Sequence, residues 1–385
     1  MTEPLFALDD RACDALARAR GTPLFAYSRS RVEASYDRLR AALPARARIA
    51  YAVKANPHAA LMACLAARGA AFDCASIGEL DRVVALGQNN ATIYFAGPGK
   101  RTVELQRALA LGARIQAEGI EDLERIDALA DQPVAVNLRV HPAFGMREER
   151  RILGGDGPSA FGIDEEQLED VLARAARCKH VRIRGLHVFA SSNQRDADVL
   201  LKNHARVLEL GERLQSLLDA PLAEIDLGGG LGIPYAPGDS PLDLERLGRG
   251  LTDLLARASW FEGRLVLEPG RFLAGPAGVY LVRVVRIKES RGTTFAILEG
   301  GINHLARPLL TGEPFPVRAI GKTGGHQRYT LAGPLCTSLD RLGEVNLPAL
   351  EVGDLLVFGQ TGAYGFTEGM THFLSHPIPP EVWVD

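Results

Sequence analysis

No apolar run in this 385-residue chain approaches the roughly 18 residues that a membrane span requires. Basic blocks are missing too. The 44 Lys and Arg are interspersed among 47 Asp and Glu, for a net charge of −3, which argues against a nucleic-acid footprint or a membrane-surface helix. Cysteine is scarce: Cys13, Cys64, Cys74, Cys178 and Cys336 are scattered and include no CxxC pair. Neither a disulfide framework nor a zinc site is expected from them, and no metal site is assigned; a reducing, cytoplasmic compartment fits. The opening MTEPLFALDDRACD has neither a basic n-region nor an apolar h-region, so no secretory signal is expected. Low-complexity tracts and repeats of known signature are also lacking.

What is present is 46% hydrophobic residues, enough for a full core and more than one domain. From Ala47 to Glu268 short β-branched or apolar runs alternate with longer stretches of helical period. The expected strands are Arg48–Val53, Ala71–Cys74, Thr92–Phe95, Arg114–Ala117, Val134–Val140, Val181–Val188, Glu224–Leu227 and Leu265–Glu268, with amphipathic segments such as Glu165–Arg177 and Asp198–Leu218 between them. About eight β/α units over roughly 220 residues suit a (β/α)₈ barrel; a doubly wound open sheet is the runner-up. After Gly270 the texture turns to alternating strands punctuated by Gly and Pro, including Val279–Ile287, Thr293–Leu298, Arg328–Leu331 and Leu355–Phe358. We therefore expect an α/β barrel over residues 30–268 and a mostly-β domain over 1–29 and 269–385, with Pro23–Tyr27 as a strand outside the barrel.

Barrel enzymes place their chemistry at the C-terminal ends of strands. The unusual residues collect there: Lys54 in YAVKANP, Asp73 in FDCAS, Arg139 in NLRV, His187 and Phe189 in GLHVFASSN, Gly228, Gly229 and Gly230 in DLGGGLGIPY, and Glu268 before Pro269, Gly270 and Arg271. An ammonium at a strand end is ordinarily a solvated surface charge. Here the preceding IAYAV reads as buried, and desolvation would favour the free amine needed for a Schiff base. A triple glycine is often only a tight turn. After the seventh strand it also stands where barrels bind phosphate, with bare N–H groups at a helix start and Arg271 as a bidentate donor. Glu268, an acid on an apolar strand, could pair with a neighbouring arginine or hold a pyridinium nitrogen protonated.

Together these motifs closely resemble fold-type III pyridoxal-phosphate (PLP) enzymes, the group of ornithine and diaminopimelate decarboxylases and alanine racemase. YAVKANP, FDCAS, GGGLGIPY, EPGRFLAGPAG, GPLCTSLD and GAYG follow in the family's order, from PLFAYS to PPEVWV. The resemblance implies PLP as cofactor, a barrel plus a C-terminal β domain, and a homodimer whose active sites are completed by the partner subunit. It makes Lys54 the Schiff-base lysine and Glu268 the ring-nitrogen acid. Gly228 to Gly230, Ser192 and Arg271 become phosphate contacts, and Tyr364 a tyrosine near the cofactor. Cys336 matches the decarboxylases' cysteine, contributed across the dimer, which protonates the substrate's α-carbon. Racemases are expected to use a tyrosine there, so GPLC favours decarboxylation. Without that motif Cys336 would read as a small buried hydrophobe.

Three departures bear on the substrate. Phe189 replaces the histidine that stacks on the ring, leaving the role of His187 open. Thr337 replaces the acid that holds a distal ammonium, a loss on the order of 2–5 kcal/mol for a diamino substrate. Thr311 replaces the tyrosine of R-P-x-L-Y, after Arg307 and Pro308. GPLCTSLD, AGPGK, GAYGF and HFLSHPIPPEV are similar to decarboxylases of aminoacyl groups tethered to an acyl carrier protein, as in butirosin biosynthesis. Arg307 instead follows the diaminopimelate pattern and could hold a distal carboxylate. A carrier-linked amino acid is thus the leading substrate, with a free amino acid (diaminopimelate, ornithine or lysine) and a racemase as alternatives.

Overall fold

The computed structural model describes residues 5–87, 92–143 and 157–385. It divides into two compact units, Tyr36–Gly232 with Leu242–Gly270, and Met1–Ser35 with Ile233–Pro241 and Arg271–Asp385. Of the first 29 residues expected in the β domain, 1–4 lie outside the described ones.

The first strand, β1 (Leu24–Ser28), belongs to the second unit. The barrel unit follows with β2 (Ala47–Ala52), β3 (Ala71–Cys74), β4 (Ile93–Phe95), β5 (Arg114–Ala117), β6 (Val134–His141), the two-residue β7 (Ile163–Asp164), β8 (Val181–His187), β9 (Glu224–Asp226) and β10 (Arg264–Leu267). All pairings are parallel, in the order β5-β4-β3-β2-β10-β9-β8-β6-β7. The extra pairing of β5 with β6, through Ile115↔Val136 and Gln116↔Asn137, closes eight of these strands into a barrel. The open doubly wound sheet is thereby excluded. Closed parallel sheets are covered on the outside and filled within, which is why their strands read as apolar runs rather than alternating ones.

Local chemistry starts the surrounding helices where the pattern says it should. Ser76 accepts the N–H of Glu79 at 3.2 Å to open the helix Ile77–Ala85. Asp196 and Asp243 cap Ala197–Ser216 and Leu244–Arg257 in the same way. The last of these helices buries Leu247, Gly248, Gly250, Leu251 and Leu255 along one face. Its glycines permit close approach: a Cβ at Gly248 would drive into the carbonyl oxygen of Ala42, and one at Gly250 into the Leu201 side chain.

The second unit is an eight-stranded sheet system built on the long β11 (Gly278–Ser290). With β12 (Thr293–Leu298), β13 (Val317–Ala319), β14 (His326–Ala332), β15 (Arg341–Pro348) and β16 (Leu355–Phe358) the order is β13-β16-β11-β12-β14-β15. β1 adds antiparallel to β11 and parallel to β17 (Glu381–Val384). Cys13, Leu24, Ala26, Val279, Leu281, Leu355 and Val357 form its core. Among the described residues no helix is long and apolar enough to cross a membrane.

The glycine contact gives a first test. Gly248→Ala gains about 1 kcal/mol of helix propensity but must displace backbone at Ala42, an overpacking cost of about 1–3 kcal/mol. The urea midpoint is expected to fall; an unchanged or higher midpoint would contradict the close contact.

Candidate active site

The strand β2 ends at Ala52, short of the expected Val53, and the chain turns at once through a 3₁₀ turn, Val53–Ala55. The Tyr51 hydroxyl donates to the Asn56 carbonyl at 2.9 Å, and Asn56 Oδ1 accepts the His58 N–H at 2.9 Å, fixing the turn before Pro57. Val53 and Ala55 are buried, whereas Lys54 between them is exposed. The burial expected of this lysine therefore stops at its neighbours, although its charge is still felt by the buried Asp73 and Glu268. Its Nζ stands 5.9 Å from the centroid of the Phe189 ring, within cation–π range.

Behind the lysine lies a cluster of buried polar groups from four strand tips. His187 ends β8, Asp226 ends β9, Glu268 follows β10, and Asp73 sits in β3. His187 Nε2 is 3.3 Å from Glu268 Oε2, an ion-pair distance without hydrogen-bond alignment. Asp226 Oδ1 accepts the Gly228 N–H at 2.9 Å and Oδ2 accepts from Gln116 Nε2 at 3.2 Å. Three carboxyls in so small a volume cannot all ionise. Asp226 is pushed well above the usual carboxylate range by burial and then by Glu268. Asp73 is pushed up for the same two reasons. Burial opposes the charge on Glu268 as well, but His187, Lys54 and a hydrogen bond from Asp226 outweigh it and bring the group down to about 2. The anion of the cluster is thus Glu268. His187, Asp226 and Glu268 offer ligand atoms within 4.8 Å of one another, but the pull of Asp226 toward its neutral form works against a metal there.

The glycines have a reason besides phosphate. A Cβ at Gly228 (φ +67°) would stand 2.9 Å from the Val188 carbonyl oxygen, and one at Gly229 2.6 Å from that of Glu268. Gly230 (φ +92°) approaches Ser191 equally closely, and Ser192 follows half-buried. The turn is stitched in place, since Glu268 N–H donates to the Gly228 carbonyl at 2.8 Å. Gly270 meets Ala55 and Ala52, beside the lysine turn. Arg139 pairs with Glu118 at 2.9 Å and lies 4.8 Å over Phe161, and its charge is felt by Asp73. Glu118 in turn accepts the N–H of Gly97 and of Gly162, and Lys100, whose side chain is 1% exposed, bridges Asp122 and the Gly97 carbonyl.

The remaining residues lie in the second unit. Arg271, buried, donates to the Tyr235 hydroxyl at 2.6 Å and stacks over Tyr364 at 4.8 Å. Tyr364 has φ +60°, a left-handed conformation that costs a bulky residue about 1–3 kcal/mol. Arg307 lies 4.0 Å over the same Tyr235 ring and pairs with Glu313, leaving its buried Nε without a hydrogen-bond partner among the described residues. Cys336 is exposed. The Thr337 hydroxyl accepts the Leu339 N–H at 3.3 Å.

Sequence reasoning passed over Asp226, Gln116 and Tyr235. An aspartate before glycines reads as turn chemistry, and its one distinguishing signal was its place on an apolar strand.

Among the described residues, Glu268 Oε1, Asp73 Oδ1 and both nitrogens of His187 have no hydrogen-bond partner. A buried anion with an open lone pair matches a protonated ring nitrogen, and an amine stands in front of it, so these residues fit PLP. The comparisons agree. A family model, pyridoxal-dependent decarboxylase, pyridoxal binding domain, matches residues 29–275. The chain belongs to this family and is a PLP-dependent amino acid decarboxylase. It is 32% identical, over 97% of its length and 91% of the relative's, to an L-glutamyl-(BtrI acyl-carrier protein) decarboxylase of Niallia circulans. To a diaminopimelate decarboxylase of Pseudomonas aeruginosa it is 35% identical, over 92% and 86% of the two chains. Its fold matches the crystal structure of diaminopimelate decarboxylase from Helicobacter pylori complexed with L-lysine, with a TM-score of 0.89, 25% identity, and 97% and 94% of the two chains covered.

The charge assignment is testable in the cofactor-free protein. Burial and then Glu268 raise Asp226 well above its unfolded value of 3.8. Native stability therefore falls as pH rises above that value. Asp226→Asn mimics the protonated form and does not titrate; a flip of the Gln116 amide satisfies its new N–H. The stability of this variant relative to the wild type is expected to grow as the pH rises above 3.8. A difference that does not change with pH would mean that Asp226 is ionised.

Proposed function

We propose that this decarboxylase acts on an aminoacyl group carried by an acyl carrier protein, releasing its α-carboxylate as CO₂. The observation that carries this reading is Thr337. Beside Cys336, where a diamino acid's distal ammonium would need a carboxylate, stands a neutral side chain whose hydroxyl is turned back onto Leu339. A thioester-linked substrate has no such ammonium. The 32% identity to the carrier-linked glutamyl decarboxylase supports the same substrate class.

In this reading Lys54 holds the cofactor aldehyde and is regained when product leaves. Glu268, ionised, keeps the ring nitrogen protonated, and Phe189 offers a neutral face where a histidine could have carried charge. Gly228 to Gly230, Ser192, Gly270 and Arg271 serve the phosphate, and Tyr364 supports Arg271. Asp73, Arg139 and His187 line the cofactor's side of the barrel. PLP supplies the electron sink that accepts the pair left when CO₂ departs. Cys336, from the partner subunit of a homodimer, returns the proton to the α-carbon. The dimer is supported by exposed apolar side chains at Leu339, Met370, Phe373, Leu374 and Ile378. A cytoplasmic location is supported by the scattered cysteines, which include no CxxC pair.

One observation favours a second reading. The Nε–H of Arg307, without a hydrogen-bond partner among the described residues, could take the distal carboxylate of a free amino acid such as diaminopimelate, and diaminopimelate decarboxylases are among the relatives.

The test is CO₂ release by the PLP-loaded protein from free and carrier-loaded glutamate, aspartate and diamino acids. Carrier-loaded substrate is expected to be favoured in kcat/KM by about tenfold or more, a difference of about 1.4 kcal/mol or more, and Lys54→Ala to abolish turnover. Turnover of free diaminopimelate alone would replace the first reading with the second. Undiminished turnover by the lysine variant would remove both.

A further inference from the structure

We propose that Asp340 is the positioning residue for Cys336, fixing the peptide that carries the thiol against the turn at Gly301 and Ile302. This rests on the reading of Cys336 as the group that returns the proton.

Asp340 ends the GPLCTSLD segment and is 3% exposed. Its two carboxylate oxygens accept from two different loops. Oδ2 takes the N–H of Leu335, immediately before the cysteine, at 2.8 Å, and Oδ1 takes the N–H of Ile302 at 2.8 Å. Its backbone closes the loop on itself: Gly333 N–H donates to the Asp340 carbonyl at 3.2 Å, and Asp340 N–H donates to the Thr337 carbonyl at 3.2 Å. Gly301 and Gly333 pack so near the carboxylate that a Cβ at either would overlap it.

The far side of the bridge is anchored as firmly. Gly301 N–H donates to Asn303 Oδ1 at 2.9 Å, Asn303 Nδ2 meets His304 Nε2 at 3.1 Å, and His304 Nδ1 meets the Tyr280 hydroxyl at 2.7 Å. Tyr280 is fully buried in β11. The exposed thiol is therefore tied, through one carboxylate, to the longest strand of its unit. Only an acceptor-only group can serve both N–H donors; an amide of the same shape must turn its NH₂ toward one of them.

Position matters because the proton has two destinations. Delivered to the α-carbon, it gives the amine and returns the cofactor unchanged. Delivered to the cofactor's own aldehyde carbon instead, and followed by hydrolysis, it leaves the substrate nitrogen on the cofactor. The products are then CO₂, a carbonyl compound and pyridoxamine phosphate, with no outside oxidant.

Asp340→Asn tests this in two ways. In the cofactor-free protein, hydrogen exchange at Leu335 or Ile302 should quicken by about tenfold or more, since one buried donor is left unmatched, while exchange at the barrel strands is unchanged. In the loaded enzyme, the share of turnovers ending in the carbonyl product should rise by about tenfold, with CO₂ release within about threefold of wild type. Gly333→Ala, which displaces the carboxylate without altering it, should shift the products the same way. In unmutated holoenzyme the two amides should exchange together, and independent rates would overturn the bridge without any variant. Cys336→Ala separates the two claims. If it shifts the products and Asp340→Asn does not, the positioning role is wrong and the acid assignment stands. If it leaves the products unchanged, the acid assignment itself fails.

Discussion

Glu268 sits in a place that favours one negative charge and opposes a second. It is 5% exposed, it faces His187, and its nearest acidic neighbours, Asp226 and Asp73, are driven toward their neutral forms by burial and by Glu268 itself. Removing a carboxylate from water is expensive unless partners compensate. Here the compensation is shared among His187, Lys54 and the proton of Asp226. The barrel supplies that arrangement because its parallel strands all end on one side, so residues far apart in sequence meet without long loops to order.

Around this charge the backbone is tied down. Asp226 accepts from Gly228, and Gly228 accepts from Glu268, so the glycine turn and the anion share one set of hydrogen bonds. Whatever binds the turn is thereby coupled to Glu268. In the second unit Tyr235 receives both arginines, one by hydrogen bond and one by its ring face. The substrate question narrows to the groups beside Cys336 and to how much of the Arg307 charge Glu313 already satisfies.

The barrel was legible because strands buried on both faces leave unbroken apolar runs, and all eight expected strands fall within a residue or two of the observed ones. The β unit was less so. β13 has three residues, the alternation of β15 is broken at Leu342–Gly343 by a register shift, and β17 lies after a proline run, so none shows a clean period. In the site, Lys54 and Glu268 stood out as charges on apolar strands. The exposure of Lys54 did not, since buried neighbours say nothing of a side chain that leaves them. Asp226 and Gln116 were invisible for a related reason: their importance comes from partners on other strands.

The most direct measurement is the ¹⁵N chemical shift of the pyridine nitrogen in enzyme loaded with ring-labelled PLP. An ionised Glu268 predicts a protonated ring nitrogen at neutral pH, and Glu268→Gln should return it to the neutral position. A wild-type spectrum with an unprotonated nitrogen would contradict the charge assignment on which the account is built.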